Sequence, residues 1–268
     1  MLALFPEVDL MNRTAFSLVE LSIVLVILGL LTGGILAGQS LIHAAELRAV
    51  STEYNRYYSA AMAFRDKYFM LPGDFNNAQA FWGQSTSCGG AAATGTCNGN
   101  ADGQIGPAAA LSTTGEDFQF WNQLALAGLI EGTYTGVAGS GGPNHSIIGT
   151  NVPKSKLNTG GWGAYYTGKI TSVSTTTYQA DYGNELFFGA ATATTFNTAA
   201  IFKPEDAWNL DTKMDDGKPG TGKILAYDAV GFTNTGSCTT SANNTDYTGA
   251  YNLSSSTLAC SLFFVRLF

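Results

Sequence analysis

Two hydrophobic patterns follow one another near the start of this chain. From Phe16 to Gly38 it reads FSLVELSIVLVILGLLTGGILAG, and from Leu21 to Gly38 there are 18 consecutive residues without a charge. Beyond that run, Leu47, Val50, Tyr54, Tyr57, Ala61, Phe64 and Tyr68 recur at steps of three and four. That spacing is one buried helical face. Arg48, Glu53, Arg56, Arg65 and Lys67 fall off the stripe. Together the patterns predict one helix from Phe16 to about Tyr68, roughly 80 Å long, apolar all round in its first half and amphipathic in its second. Gly33-Gly34 is its weak point, since each glycine costs about 1 kcal/mol relative to alanine. The pair suits either close helix packing or a segment that unwinds during assembly. Leu71-Pro72-Gly73-Asp74-Phe75 stops the helix.

From about residue 69 the composition shifts to Gly, Thr, Ser, Asn and aromatics. Alternating, β-branched and aromatic runs predict strands at 162–170, 176–182, 185–190, 223–232 and 260–268. A helix is predicted over 204–214, with Pro204 in its first turn and Glu205-Asp206 at its positive end. Another is predicted over 116–129, where Phe120, Leu124 and Ala127 keep helical spacing and Gly128 marks the end. Helices and strands are segregated along the chain, so the expected class is α+β with an antiparallel sheet. The expected organisation is a segment 1–15, a stem 16–43 and a globular head 44–268. Glycine- and threonine-rich stretches at 88–99 and 133–142 are expected to be exposed loops.

The stem is long enough to cross a bilayer: 23 residues span roughly 35 Å of helix, against a hydrocarbon core of roughly 30 Å. A secretory signal has a shorter apolar region and a small-residue cleavage site after it, which this run lacks. Glu20 breaks the pattern of a plain anchor. A carboxylate at membrane depth costs roughly 2.5–3.5 kcal/mol and calls for a partner. No basic residue lies between Arg13 and Arg48, so the expected partner belongs to another molecule.

Charge narrows the function classes further. Only 12% of residues are charged and the net charge is −7, which disfavours a nucleic-acid surface, since that needs a basic patch. Lys154 and Lys156 form a close basic pair in the head, too small for such a patch. With just two histidines, His43 and His145, a histidine metal site or catalytic triad has little to draw on. His145 sits in a loop, Gly141-Gly-Pro-Asn-His-Ser, where nothing marks the serine as activated. No enzymatic activity is expected.

The stretch Asn12-Arg-Thr-Ala-Phe-Ser-Leu-Val-Glu-Leu-Ser-Ile-Val-Leu-Val-Ile-Leu-Gly-Leu-Leu resembles the cleavage and methylation signal of type IV pilins and pseudopilins. The resemblance covers about 25 residues. It implies that a prepilin peptidase cuts between Ala15 and Phe16, that the new amine of Phe16 is methylated, and that Glu20 becomes the fifth residue of the mature chain. That amine is a cation at the depth of Glu20 in a neighbouring subunit. The family prefers glycine before the cut, and Ala15 keeps a small residue there. Met11 as the start would give the short leader MNRTA. The resemblance further implies a homo- or hetero-polymer with other pilins, an inner-membrane assembly platform as partner, a single-pass membrane state before assembly, and an extracellular or periplasmic filament afterwards. The expected function is thus a structural subunit of a type IV pilus or of a type II secretion pseudopilus. The alternative is a minor pilin whose head is a surface-adhesion or ligand-binding module.

Three further motifs bear on chemistry. Asn98-Gly-Asn100-Ala-Asp102-Gly103-Gln104-Ile105 places oxygen side chains at alternate positions before a glycine, like the first half of an EF-hand loop. Asn98, Asn100, Asp102 and Gln104 are therefore candidate calcium ligands. Ala109 stands where the closing glutamate belongs, so Glu116 or Asp117 would have to complete the shell. Asp211, Asp215 and Asp216 form a second acidic group at a helix C-terminus, where acids are disfavoured unless a cation or a lysine compensates. Gly217-Lys-Pro-Gly-Thr-Gly222-Lys223-Ile224 nearly matches a phosphate-binding loop, but Ile224 replaces the hydroxyl residue, and the segment is expected to open a strand rather than a helix. Finally, Cys88, Cys97, Cys238 and Cys260 suit two disulfides in an oxidising compartment, with three pairings open. The nearest in sequence are Cys88–Cys97 and Cys238–Cys260. Because few apolar residues lie between Cys238 and Cys260, reduction of that pair is expected to loosen the C-terminal loop and final strand first.

Overall fold

The computed structural model describes residues 17–90, 95–106, 115–157 and 159–268. Helix α1 runs from Leu18 to Tyr68 without interruption at Gly33-Gly34. Its start is a capping box: the Ser17 N–H donates to Glu20 Oε2 at 2.9 Å and the Val19 N–H donates to Ser17 Oγ at 3.3 Å. The chain divides after Ala45 into two units, and the second, Glu46–Phe268, carries the core.

Within that second unit α1 buries Leu47, Val50, Tyr57, Ala61 and Phe64, and half-buries Tyr54 and Tyr68. It lies on a four-stranded antiparallel sheet of order β1-β2-β4-β3, formed by Gly160–Tyr166, Asn184–Ala190, Cys260–Phe264 and Ile224–Asp228 respectively. Alternation along each strand sends Trp162, Leu186, Phe188, Leu262, Phe264, Ile224 and Ala226 toward α1. Tyr54 stacks on Phe264 at 4.4 Å, and Trp162 meets both Phe188 and Tyr57 at 4.9 and 5.7 Å. The opposite face buries Tyr182, Phe187, Leu225, Phe263 and Val265 under the connection between β1 and β2. Helix α2 is a single turn, Ala78–Trp82; α3 is Glu116–Leu126; α4 is Pro204–Met214. The class is α+β with a long apolar N-terminal helix.

Five predicted elements change extent, for local reasons. No strand forms over 176–182. Ser174 Oγ accepts from the N–H groups of Thr176 and Thr177, and the segment is an irregular cover in which Tyr182 packs on the sheet face and Tyr178 is buried against Phe232. The strand expected over 223–232 ends at Asp228, whose carboxylate accepts from Gly231 N–H at 3.0 Å and Thr239 N–H at 3.2 Å and bends the chain. The final strand ends at Phe264, after which Val265, Arg266 and Leu267 donate instead to Lys223, Tyr182 and Asn184 carbonyls. The first strand covers 160–166 rather than 162–170. Helix α3 stops at Leu126, because Gly128 adopts φ 71° and donates to the Ala125 carbonyl.

Two disulfides join Cys88 to Cys97 and Cys238 to Cys260. The stretch 88–99, expected to be an exposed loop, is buried at its end: Thr96 Oγ1 donates to Gln119 Oε1 at 2.7 Å and Cys97 packs in the core.

Candidate functional site

The first candidate surface is the stem. Every described residue up to Ala45 is exposed except the half-buried Gly38. Its leucines, isoleucines and valines stand in the open, with Leu18 at 85% exposure and Leu41 at 72%. This is the one helix among the described residues that is long and apolar enough to cross a membrane. So large an apolar surface is stable only in lipid or against other apolar helices. The processing residues Ala15 and Phe16 lie outside the described residues. Glu20 finds a local partner that its charge pattern did not suggest, the backbone N–H of Ser17. The signal was legible: Ser17-Leu-Val-Glu20 is the S-x-x-E spacing of a capping box. A carboxylate here also sits at the positive end of the helix dipole.

The second candidate is an acidic cluster around residues 98–106. Asp74, Asp102 and Glu116 bring carboxylate oxygens within 4.8 Å of one another. Asp74 comes from the turn after α1, Glu116 from the first turn of α3. Close backbone contact sets the turn: Gly73 adopts φ 87°, a Cβ there would meet the Glu116 carbonyl at 2.3 Å, and the Gly73 N–H donates to Gln123 Oε1 at 2.7 Å. Only glycine fits.

The acids hold the loop through its amides. Asp74 accepts from the N–H groups of Asp102 and Gly103 at 3.0 and 2.9 Å. Glu116 accepts from Asn100 and Gly106 at 2.9 and 3.2 Å. Burial raises the pKa of Asp74 and pushes that of Glu116 up to about 7. Asp102 is exposed and closes turns with both neighbours: Asn100 Nδ2 donates to its Oδ2 at 3.0 Å and Gln104 N–H to its Oδ1 at 2.8 Å. Of the four expected ligands, Asn100 and Asp102 border the cluster, and the backbone of Gln104 is tied to it. Asn98 turns away, and its Oδ1 accepts from the Gln79 N–H at 2.8 Å. Asp117 is buried apart, its pKa pushed up to about 8 by desolvation. The donor set able to hold a cation is therefore Asp74, Asp102 and Glu116, hard oxygen ligands of the kind calcium takes. Asp74 escaped the sequence reading because Leu71–Phe75 registers only as a helix stop.

The Asp211, Asp215 and Asp216 oxygens also lie within 4.8 Å of one another. Backbone and hydroxyl donors answer each acid. Asp211 accepts from Gly217 N–H and Tyr251 OH at 3.1 and 2.8 Å, Asp215 from Lys223 and Ile224 N–H groups, and Asp216 from Lys218 N–H and Thr221 OH. The loop 217–223 thus caps α4 and opens β3. Lys154 and Lys156 are exposed. His145 Nδ1 accepts from the Gly141 N–H at 2.9 Å and closes its own loop.

No protein-family model matches this chain, and no curated protein and no solved structure matches it.

Proposed function

We propose that this chain is a structural subunit of a filament of the type IV pilus or secretion-pseudopilus kind, processed before Phe16 and polymerised through its N-terminal helix. The observation that carries the reading is the pairing of two surfaces on one helix. Leu18–Ala45 exposes its apolar side chains all round, whereas Leu47–Phe64 buries one face on a sheet. Such a stem is held by lipid before assembly and by other stems afterwards, while the unit built on the sheet remains outside the bundle. Contacts of one subunit on the next that do not close propagate a helical polymer. In this reading Glu20, on the first turn of that stem, meets the new amine of Phe16 from a neighbour.

The test is peptide mass spectrometry on assembled material. The expected N-terminus is Phe16 with a methylated amine, and Ala15 still attached in assembled chains overturns the reading. A pair of Glu20 variants then separates capping from charge. Glu20→Gln keeps an acceptor for the Ser17 N–H but loses the charge; Glu20→Ala loses both. Equal loss of polymer in the two, with membrane insertion intact, is the result expected of an intermolecular ion pair.

A further inference from the structure

A cavity of about 280 Å³ opens between α3 and the segment that turns back on it after Gly128. Asn122, Ala125 and Leu126 line it from the helix, and Thr133, Tyr134 and Thr135 from the returning segment. That segment is fixed in place. Asn122 Nδ2 donates to the Tyr134 carbonyl at 2.7 Å, the Tyr134 hydroxyl donates to the Glu131 carbonyl at 3.1 Å, and the Thr135 N–H donates to the Thr150 carbonyl at 3.1 Å. The walls are therefore preformed, as those of small-molecule sites usually are.

Asn122 is the anomaly in this wall. It is 7% exposed, its Nδ2 bridges the two sides of the cavity, and its Oδ1 is buried without a partner. A buried carbonyl left unpaired is unfavourable, and what relieves it is a donor. Across the cavity the Thr133 hydroxyl is exposed and has no partner among the described residues, while Thr135 Oγ1 donates to the Val137 carbonyl at 3.4 Å.

The chemistry of the walls selects a class of ligand. None of the described lining residues is charged, so a charged ligand would lose its hydration there without a counter-charge. The volume lies close to the lower end of the roughly 300–1,000 Å³ typical of ligand pockets, room for one ring and its substituents. A purely apolar ring would cover Ala125, Leu126 and Tyr134 yet leave the Asn122 carbonyl unpaired. A ring with hydroxyls at its edge and C–H groups on its face answers both.

We propose that this cavity binds a neutral sugar ring, with one ligand hydroxyl donating to Asn122 Oδ1, a second paired with the Thr133 hydroxyl, and the C–H face against Tyr134. The site lies wholly within Glu46–Phe268 and does not rest on the filament reading.

The test keeps the full chain in a detergent without a sugar headgroup and reads saturation-transfer NMR on the methyl glycosides of glucose, galactose, mannose and N-acetylglucosamine. Transfer to at least one is expected, with a dissociation constant of about a millimolar, which is what the atoms of one ring supply. The same sugar should raise the melting temperature, since it binds the native state alone. Asn122→Leu should weaken binding by about tenfold or more, the worth of one buried hydrogen bond. Because that variant also loses the bond to Tyr134, Thr133→Trp is tested beside it. A large side chain at this exposed position closes the mouth without touching the core, so binding should fall as far while the melting temperature without sugar stays the same. No transfer to any of the four glycosides overturns the proposal. So does binding undiminished in Thr133→Trp, which would place the sugar elsewhere. Transfer to cyclohexanol equal to that of the best sugar also overturns it, because the cavity would then be reading apolar surface rather than hydroxyls. Each of these results leaves the filament reading untouched, since that is decided by the N-terminus of assembled chains.

Discussion

Glu53 lies off the apolar stripe of α1, yet it is only 7% exposed. Its Oε2 accepts from Trp162 Nε1 and its Oε1 from the Lys156 N–H, both at 2.9 Å. One carboxylate thereby ties the helix to β1 and to the segment before it. Glu53→Ala strands the buried Trp162 Nε1 donor and a part-buried N–H at Lys156, and should cost about 1–3 kcal/mol, mostly the desolvation penalty of the indole N–H. Urea unfolding measures this, and a loss below about 1 kcal/mol would show that the donors find water instead. Glu185 is a buried carboxyl of another kind. It accepts from Thr167 OH at 2.7 Å, while its Oε2 has no partner. Desolvation pushes its pKa up to about 8. The folded state therefore holds the proton more tightly than the unfolded state, whose value is about 4.3. The stabilisation is complete below about pH 4 and is lost as pH rises through about 8, by at most about 1.4 kcal/mol per unit. Glu185→Gln should flatten that slope between pH 5 and 8 in denaturant titrations; an unchanged slope would locate the titration elsewhere.

At the scale of elements, the loop 98–106 is pinned between the turn after α1 and the start of α3 by carboxylates on amides. The same three acids decide how it answers a cation. Read as a calcium site, Asp74, Asp102 and Glu116 predict that millimolar calcium raises the melting temperature over that in chelator, through binding to the native state alone. Asp102→Ala should abolish most of that gain at little cost to the metal-free protein, because Asp102 is exposed while Asp74 and Glu116 hold the loop. Identical melting in calcium and chelator would assign the cluster to hydrogen bonding only. The sheet shows a second decision at this scale. β4 lies between β2 and β3, pairing Phe263 with both Phe187 and Leu225.

That position changes what reduction does to the whole molecule. A C-terminal strand at an edge would peel away once Cys238–Cys260 opens. A central strand cannot leave without breaking the sheet, and Phe263 and Phe264 are 8% and 1% exposed. Reduction should therefore free the loop between Gly236 and Thr257, where Thr239 bridges Tyr251, before it exposes either phenylalanine. Limited proteolysis under reducing conditions should cut first within that loop. Early cleavage at Phe263 or Phe264 would contradict the central placement. Reduction of Cys88–Cys97 should matter less, because its loop of 9 residues against 22 restricts the unfolded chain less.

The sequence by itself determined the elements whose signal is periodic or covalent: the long helix, from its uninterrupted apolar run and three-four stripe; α4, from Pro204 and its acids; and the α+β class, from segregation of helix and strand. These depend on residues near one another along the chain. Tertiary structure alone decided what rests on distant neighbours. The burial of Glu53 depends on Trp162, and the acidic cluster on Asp74 reaching a loop 28 residues later. The failure of 176–182 to become a strand had the same origin. Its Thr and Tyr content favours β structure, but the places beside β4 are taken by β2 and β3, and the segment instead buries Tyr182 against Phe263 of the sheet and Tyr178 against Phe232. Local pattern specifies which backbone a segment prefers; which partner covers it is set by chain topology, which no window of sequence contains.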